Sequence, residues 1–252
     1  MAMGGLRPVV AVYSTFMSRA FDQVNLDVGL HRQPVVFCLD RAGITGDDGP
    51  SHHGVLDLVL FTKIPSMTVL APSSYEEIGV MLHDALDITD GPVMIRWAKT
   101  AAASVPYDQV GSGLRGRKAR SGSDVCILSV GKMLEASLAA ADALAEQGID
   151  ASVWDVRCVK PLDPDMIADA SQHPAVITVE DGYLAGGAGS LMASHIRAAC
   201  DDRSVPRIEI LGVPTEYIDH AKVDAILARY GLDADGIVAA ARRVCAAAGS
   251  PA

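Results

Sequence analysis

Aromatic residues are scarce in this 252-residue sequence, 12 in all or 5%. Half of the residues are apolar and most of those are aliphatic, which favours α/β packing of aliphatic helices on strands. Positive charge is also in short supply: 21 Lys and Arg against 31 Asp and Glu give a net charge of -10. Such a chain repels nucleic acid and anionic membranes unless it concentrates cations locally. The nearest thing to a basic run, Arg115 to Arg120, mixes four basic residues with Gly and Ala and reads as a solvated linker. No apolar stretch approaches the roughly 18 residues that would read as a bilayer span. Met1 to Val12 lacks the parts of a signal peptide. The five cysteines are widely spaced, with no C-x-x-C. That pattern suggests reduced thiols and a cytoplasmic setting rather than a disulfide framework. Asparagine occurs once, at Asn25.

What is present is an alternation of short apolar runs with longer amphipathic ones. Val9 to Tyr13 reads as a buried strand, and Ser14 to Leu30 as a helix with Phe16, Ala20, Val24 and Val28 on one face. Pro34 to Leu39, Met67 to Ala71 and Val93 to Trp97 read as further strands. Between the last two, Ser73 and Ser74 each precede a Glu by three positions, so a capping box opens a helix that runs to about Leu86. Periodicity vanishes from Thr100 to Ser123. A second alternation then begins, with strands at 124–130, 151–156, 175–179 and 207–211. Helices are expected at 132–147, 163–171, 189–200, 221–229 and 235–245. The pattern predicts two consecutive doubly wound, mostly parallel-sheet α/β domains: residues 1–105, a linker at 106–122, and residues 123–252. The first strand starts within ten residues of Met1, an abrupt opening that suggests a domain lacking its own first elements.

Candidate chemistry gathers at predicted strand ends, where open parallel sheets bind ligands. The densest cluster is Asp40 to Gly54. Arg41 can grip a carboxylate or phosphate bidentately. Asp48 and His52, four apart, suit acid–base work or binding of a hydroxyl. Adjacent His52 and His53 would point to opposite faces of a strand, and no carboxylate or Cys completes a metal-ligand spacing, so no metal is expected there. Tyr13 and Phe16 can stack on a flat ring or pack in the core. Arg96 and Lys99 form a local anion site or two snorkelling surface residues. Gly186 to Ser190 is a glycine loop before a helix, but it is not G-x-G-x-x-G and carries no P-loop Lys. Its glycines suit tight turns.

Several of these segments together resemble the 1-deoxy-D-xylulose-5-phosphate synthase family, within the transketolase-like superfamily of thiamine-diphosphate enzymes. They are Tyr13-Ser14-Thr15-Phe16, Arg19-Ala20-Phe21-Asp22-Gln23, and Asp40-Arg41-Ala42-Gly43-Ile44 with Gly46, Asp48, Gly49, His52 and Gly54. In the second half they are Val156-Arg157, Val159-Lys160-Pro161-Leu162-Asp163, Val179-Glu180-Asp181 and Gly186-Gly187 with Gly189-Ser190. The resemblance runs over nearly the whole chain. It implies a pyrimidine-binding domain, incomplete at its N-terminus, followed by a transketolase C-terminal domain. The implied reaction condenses pyruvate, with loss of CO2, and D-glyceraldehyde 3-phosphate on thiamine diphosphate, feeding isoprenoid and thiamine synthesis. Tyr13, Phe16 and Arg19 would meet the cofactor's pyrimidine end. Arg41, Asp48 and His52 would meet the reacting substrates, with Asp48 and His52 catalytic. Arg96-Trp97-Ala98-Lys99-Thr100 stands where the family has R-Y-P-R-G, so Lys99 inherits a phosphate-binding role from an Arg, beside Arg96. The charge is kept and the bidentate fork is lost.

The absences extend this reading. The family's Gly-Asp-Gly motif and the Asn that follows it, which ligate Mg2+, have no counterpart here. The catalytic Glu of its A-E-Q-H segment would fall upstream of Met1. The resemblance therefore implies a C-terminal portion that is inactive without the diphosphate-binding domain. Its expected partner is a second copy in a homodimer or another chain carrying that domain. The alternatives are a non-catalytic remnant that binds a partner or phosphosugar, and a subunit of another thiamine-dependent enzyme of the superfamily.

Overall fold

The computed structural model describes residues 1–200 and 205–248. The first half contains β1 (Val9–Tyr13), α1 (Ser14–Met17), α2 (Phe21–Gln23), β2 (Val36–Asp40), α3 (Asp57–Phe61), β3 (Thr68–Leu70), α4 (Tyr75–Asp87) and β4 (Val93–Arg96). The second half contains β5 (Arg117–Arg120), β6 (Val125–Ser129), α5 (Met133–Ala145), β7 (Ala151–Asp155), β8 (Cys158–Lys160) and α6 (Pro164–Ala170). It ends with β9 (Ala175–Tyr183), α7 (Ala188–Ala199), β10 (Arg207–Val213), α8 (Val223–Arg229) and α9 (Ala234–Ala248). No helix among the described residues is long and apolar enough to cross a membrane.

Two five-stranded sheets result, ordered β1-β2-β4-β3-β8 and β10-β9-β6-β7-β5. Pairing is parallel except at one edge of each sheet, where β8 runs antiparallel to β3 and β5 antiparallel to β7. Every residue of β6 and β7 is buried, as expected of parallel strands covered on both faces. The structure is α/β with two mostly parallel sheets. The halves interlock, because β8 lies in the second half of the chain yet completes the first sheet.

Four sequence expectations need correction. The stretch 106–122 is not all linker: Arg117–Arg120 is an edge strand on β7, its charged side chains masking the pattern. The Ser14–Leu30 helix is broken into α1, a 3₁₀ turn (Ser18–Ala20), α2 and a π-helical segment (Val24–Gly29). The Ser18 hydroxyl donates to the Thr15 carbonyl, 2.7 Å, and such back-bonding competes with the helical ladder. β9 continues through Glu180-Asp181-Gly182 to Tyr183, past the expected strand end at Val179. β1 is not buried: it forms a sheet edge, with Val9 50% and Val10 37% exposed.

Candidate active site

β1, β2 and β4 are adjacent and parallel, so Tyr13, Asp40 and Trp97 meet at their carboxyl ends. An open groove of about 520 Å³ lies there, lined by Tyr13, Phe16, Cys38, Asp40 and Trp97 among others. The rings of Tyr13 and Phe16 stack at 5.5 Å and 13°. The guanidinium of Arg41 sits 4.2 Å over the Tyr13 ring, a cation–π arrangement. His52 meets Phe16 edge-on at 5.5 Å, and its Nδ1 lies 2.9 Å from the Ser51 hydroxyl.

Arg41 adopts a left-handed backbone, φ 54°, costly for a non-glycine residue. The following turn aims its side chain back at Tyr13 and Asp48. One carboxylate oxygen of Asp48 accepts from both Arg41 (3.1 Å) and Lys99 (2.8 Å). The hydrogen bond from Lys99 leads the effects that hold the Asp48 carboxyl below its ordinary range, so Asp48 is ionised at neutral pH. Asp48 and His52 are not hydrogen-bonded to each other. Asp48 serves the two cations, and His52 faces Ser51 and Phe16.

The loop carrying these residues is closed at its neck. Gly43 N–H donates to Gly54 O (3.0 Å) and Gly54 N–H to Gly43 O (2.8 Å). Gly54 has no room for a side chain: an added methyl would overlap the Arg41 carbonyl and Ser14. His53 is buried, and its Nδ1 accepts from Thr45 N–H at 3.0 Å; burial leads in pulling its pKa down. The two histidines therefore do different work: His52 packs edge-on against Phe16, which lines the groove, and His53 braces the loop. From the second half, Lys222 reaches Asp47 at 2.8 Å.

Arg96 and Arg19 make none of these contacts. Arg96 is 3% exposed, pinned between Asp57 (3.0 Å) and Asp181 (2.7 Å), and so is unavailable to a substrate anion. Arg19 is exposed and forms no ion pair among the described residues. Lys99 alone of the strand-end pair is accessible. It lines a cavity of about 1040 Å³ bounded by α4, α5 and α8, and Trp97 lines both that cavity and the groove. Trp97 and Asp40 carry no assigned role in the sequence reading, although both stand at predicted strand ends.

The stacked rings and open groove fit the flat pyrimidine end of a thiamine cofactor. A diphosphate–Mg2+ site does not fit the described residues. Asn25 lies in the π-helical segment, Asp48 is committed to two cations, and Asp47 to Lys222. One other group, Cys126, Asp169 and His173, brings metal-ligand types together. Its Asp169 oxygens already accept from Lys118 and Trp154, at 2.8 and 2.7 Å.

Residues 1–104 match the family described as the transketolase pyrimidine binding domain, and residues 115–237 match the transketolase C-terminal domain. The chain is 44% identical over 242 residues to a 1-deoxy-D-xylulose-5-phosphate synthase of Thermobifida fusca, covering 94% of this chain and 38% of that protein. It is 41% identical over 259 residues to 1-deoxy-D-xylulose-5-phosphate synthase 1 of Geobacter sulfurreducens, covering 100% of this chain and 40% of that one. The chain thus spans about two fifths of the length of these relatives. Among solved structures it resembles one titled "Split gene transketolase, inactive beta4 tetramer", with TM-score 0.85 and 27% identity over 97% of this chain and 78% of that one. A transketolase mutant from Pichia stipitis shares the fold, with TM-score 0.77 at 17% identity, over 94% of this chain and 34% of that one.

Proposed function

Because this chain belongs to the transketolase family, we propose that it supplies the pyrimidine-binding and C-terminal domains of a 1-deoxy-D-xylulose-5-phosphate synthase, a thiamine-diphosphate-dependent transferase. Residues 1–105 form the first domain and the second opens with β5 (Arg117–Arg120), so that 106–116 pass between them. The observation that carries the reading is the continuous contact set of Phe16, Tyr13, Arg41, Asp48 and Lys99, with His52 on Phe16, beside an open groove at the strand ends. The substrates are pyruvate and D-glyceraldehyde 3-phosphate. The described residues do not fit the diphosphate and Mg2+, which a diphosphate-binding domain outside them would hold.

Thiamine diphosphate, when bound, supplies the electron sink for decarboxylation. This chain's residues bind and orient. Tyr13 and Phe16 offer ring faces to the pyrimidine. Arg41 and Lys99 present positive charge toward the acceptor's phosphate, and Asp48 keeps both cations in place. His52 Nε2 is the group free to exchange a proton with a substrate hydroxyl, since Nδ1 is engaged by Ser51. General acid–base groups of this kind contribute about 10²–10⁴-fold. The test is turnover of the two substrates by the chain alone and with a partner carrying the diphosphate-binding domain. Turnover is expected only with the partner, and Arg41→Ala or His52→Ala should each lower the reconstituted kcat/KM by about 10²-fold or more. Robust turnover by the chain alone, or indifference to both substitutions, would reject the reading.

The β1 edge is where a second chain docks. Val9 and Val10 are exposed on it, near exposed Met1, Met3 and Leu6, and an open apolar strand edge invites pairing. Wild type is expected to run as an oligomer in light scattering, and Val10→Lys to shift it toward monomer. A monodisperse wild-type monomer would count against this interface.

A further inference from the structure

The two halves of the chain meet through a buried charged clamp whose position goes beyond domain packing. Arg96, at the end of β4, donates from Nε to Asp57 Oδ2 (3.0 Å) and from Nη1 to Asp181 Oδ1 (2.7 Å). Arg96 is 3% exposed, Asp57 0% and Asp181 1% by side chain. Asp57 opens α3 just past the substrate loop, and the Ser14 hydroxyl lies within 3.1 Å of its Oδ2 and 3.3 Å of the Gly54 carbonyl. Asp181 comes from β9, in the other sheet. Its carboxylate fills the space where a side chain at Gly43 would stand. Gly43, at φ 69°, exchanges the two backbone hydrogen bonds with Gly54 that close the loop's neck.

We propose that Asp181 is a positioning residue: through Arg96 and against Gly43 it sets the neck of the 41–54 loop, and with it the placement of Arg41, Asp48 and His52. This rests on the functional reading above for what the loop does, but not for how it is held. The carboxylate belongs to the second half of the chain and the loop to the first, so the second half reaches the site without touching substrate. The charges suit a fixed clamp. Burial opposes ionisation of Asp181, yet Arg96 and Lys132, the latter 3.7 Å away, hold its pKa below the ordinary value. Burial likewise opposes the charge on Arg96, and Asp181 and Asp57 outweigh it. A lysine at position 96 would keep the charge but could not fork between two carboxylates.

The test is residue-resolved amide hydrogen exchange on the full chain. Asp181→Ala should speed exchange at Gly43 and Gly54 at least tenfold, with Ile127 and Val179 in the second sheet within twofold of wild type. Arg96→Lys should fail to restore protection at Gly43 and Gly54. Should Asp181→Ala not fold, Asp181→Asn keeps the shape and is read at the same amides. Wild-type protection at Gly43 and Gly54 in the Asp181 variant, full protection in Arg96→Lys, or uniformly faster exchange through β6 and β9 would overturn the proposal. Exchange is measured without turnover, so failure to reconstitute activity would reject the functional reading and leave this result standing.

Discussion

Replacing Arg157 with methionine is expected to lower the unfolding free energy by about 3–5 kcal/mol, the usual cost of removing one partner from a buried ion pair. The side chain is wholly buried. Its Nε donates to Glu77 Oε1 at 2.7 Å, and Nη1 lies within 3.3 Å of the carbonyls of Ser112 and Gly113 and 2.6 Å from that of Arg115. Gly111 lies against the guanidinium so closely that an added methyl would overlap it. The residue follows β7, while Glu77 is on α4 in the first half, so one side chain ties together both halves and the segment between them. Methionine would leave Glu77 buried without its cation and those carbonyls short of a donor. For a chain of this size the loss corresponds to a fall in melting temperature of roughly 6–10 °C. Arg157→Lys should lose more than half as much, because an ammonium cannot reproduce the fork. A thermal melt of either variant within 2 °C of wild type would show that the network contributes little.

The alternation of strands and helices was legible because parallel strands buried on both faces read as unbroken apolar runs. Val125 to Leu128 is such a run, and Ala151 to Trp154 is interrupted only by Ser152. β5 was not legible, since Arg117-Lys118-Ala119-Arg120 carries the composition of a solvated linker and becomes a strand only by pairing with β7. β8 was hidden differently: three residues cannot announce by local pattern that they complete the other half's sheet. At the site, the Asp40–Gly54 loop stood out by its density of Arg, Asp, His and Gly, and the resemblance gave those residues roles. Local sequence could not distinguish Arg96 from Lys99, two cations three positions apart. The structure separates them by burial: Arg96 faces Asp57 and Asp181, which lie 39 and 85 positions away, whereas Lys99 remains accessible. The same holds for Arg157, whose partner Glu77 lies 80 positions away. Clamps of this kind are set by tertiary contact, and no periodicity encodes them.

Asp155→Asn is expected to change the sign of its effect on stability between pH 4 and pH 8. Asp155 is fully buried at the end of β7. Its Oδ2 lies 2.6 Å from the Ser73 hydroxyl and 3.5 Å from Arg117, while Oδ1 has no partner. Burial first, then the negative charge of Glu77, pushes its pKa up to about 7; Ser73, Arg117 and Arg157 oppose the rise. An unfolded aspartate ionises near 3.9. Below about pH 4 both states hold the proton and the group contributes nothing. Between about 4 and 7 the unfolded chain releases its proton while the folded chain keeps it, so wild-type stability falls as pH rises. Above 7 the penalty is complete, at most about 4 kcal/mol when each pKa unit is worth about 1.4. Asparagine removes that titration but places an unpartnered amide hydrogen near Oδ1, at about 1–2 kcal/mol. The variant should therefore be slightly less stable than wild type at pH 4 and more stable by about 1–3 kcal/mol at pH 8. Glu180 is also pushed up to about 7, chiefly by burial, although the Ala188 and Gly189 amides oppose it. It slopes both proteins alike, so the informative quantity is the difference between two urea denaturation series. A difference that stays constant from pH 4 to pH 8 would mean that Asp155 is ionised throughout and that Arg117 and Arg157 already neutralise it.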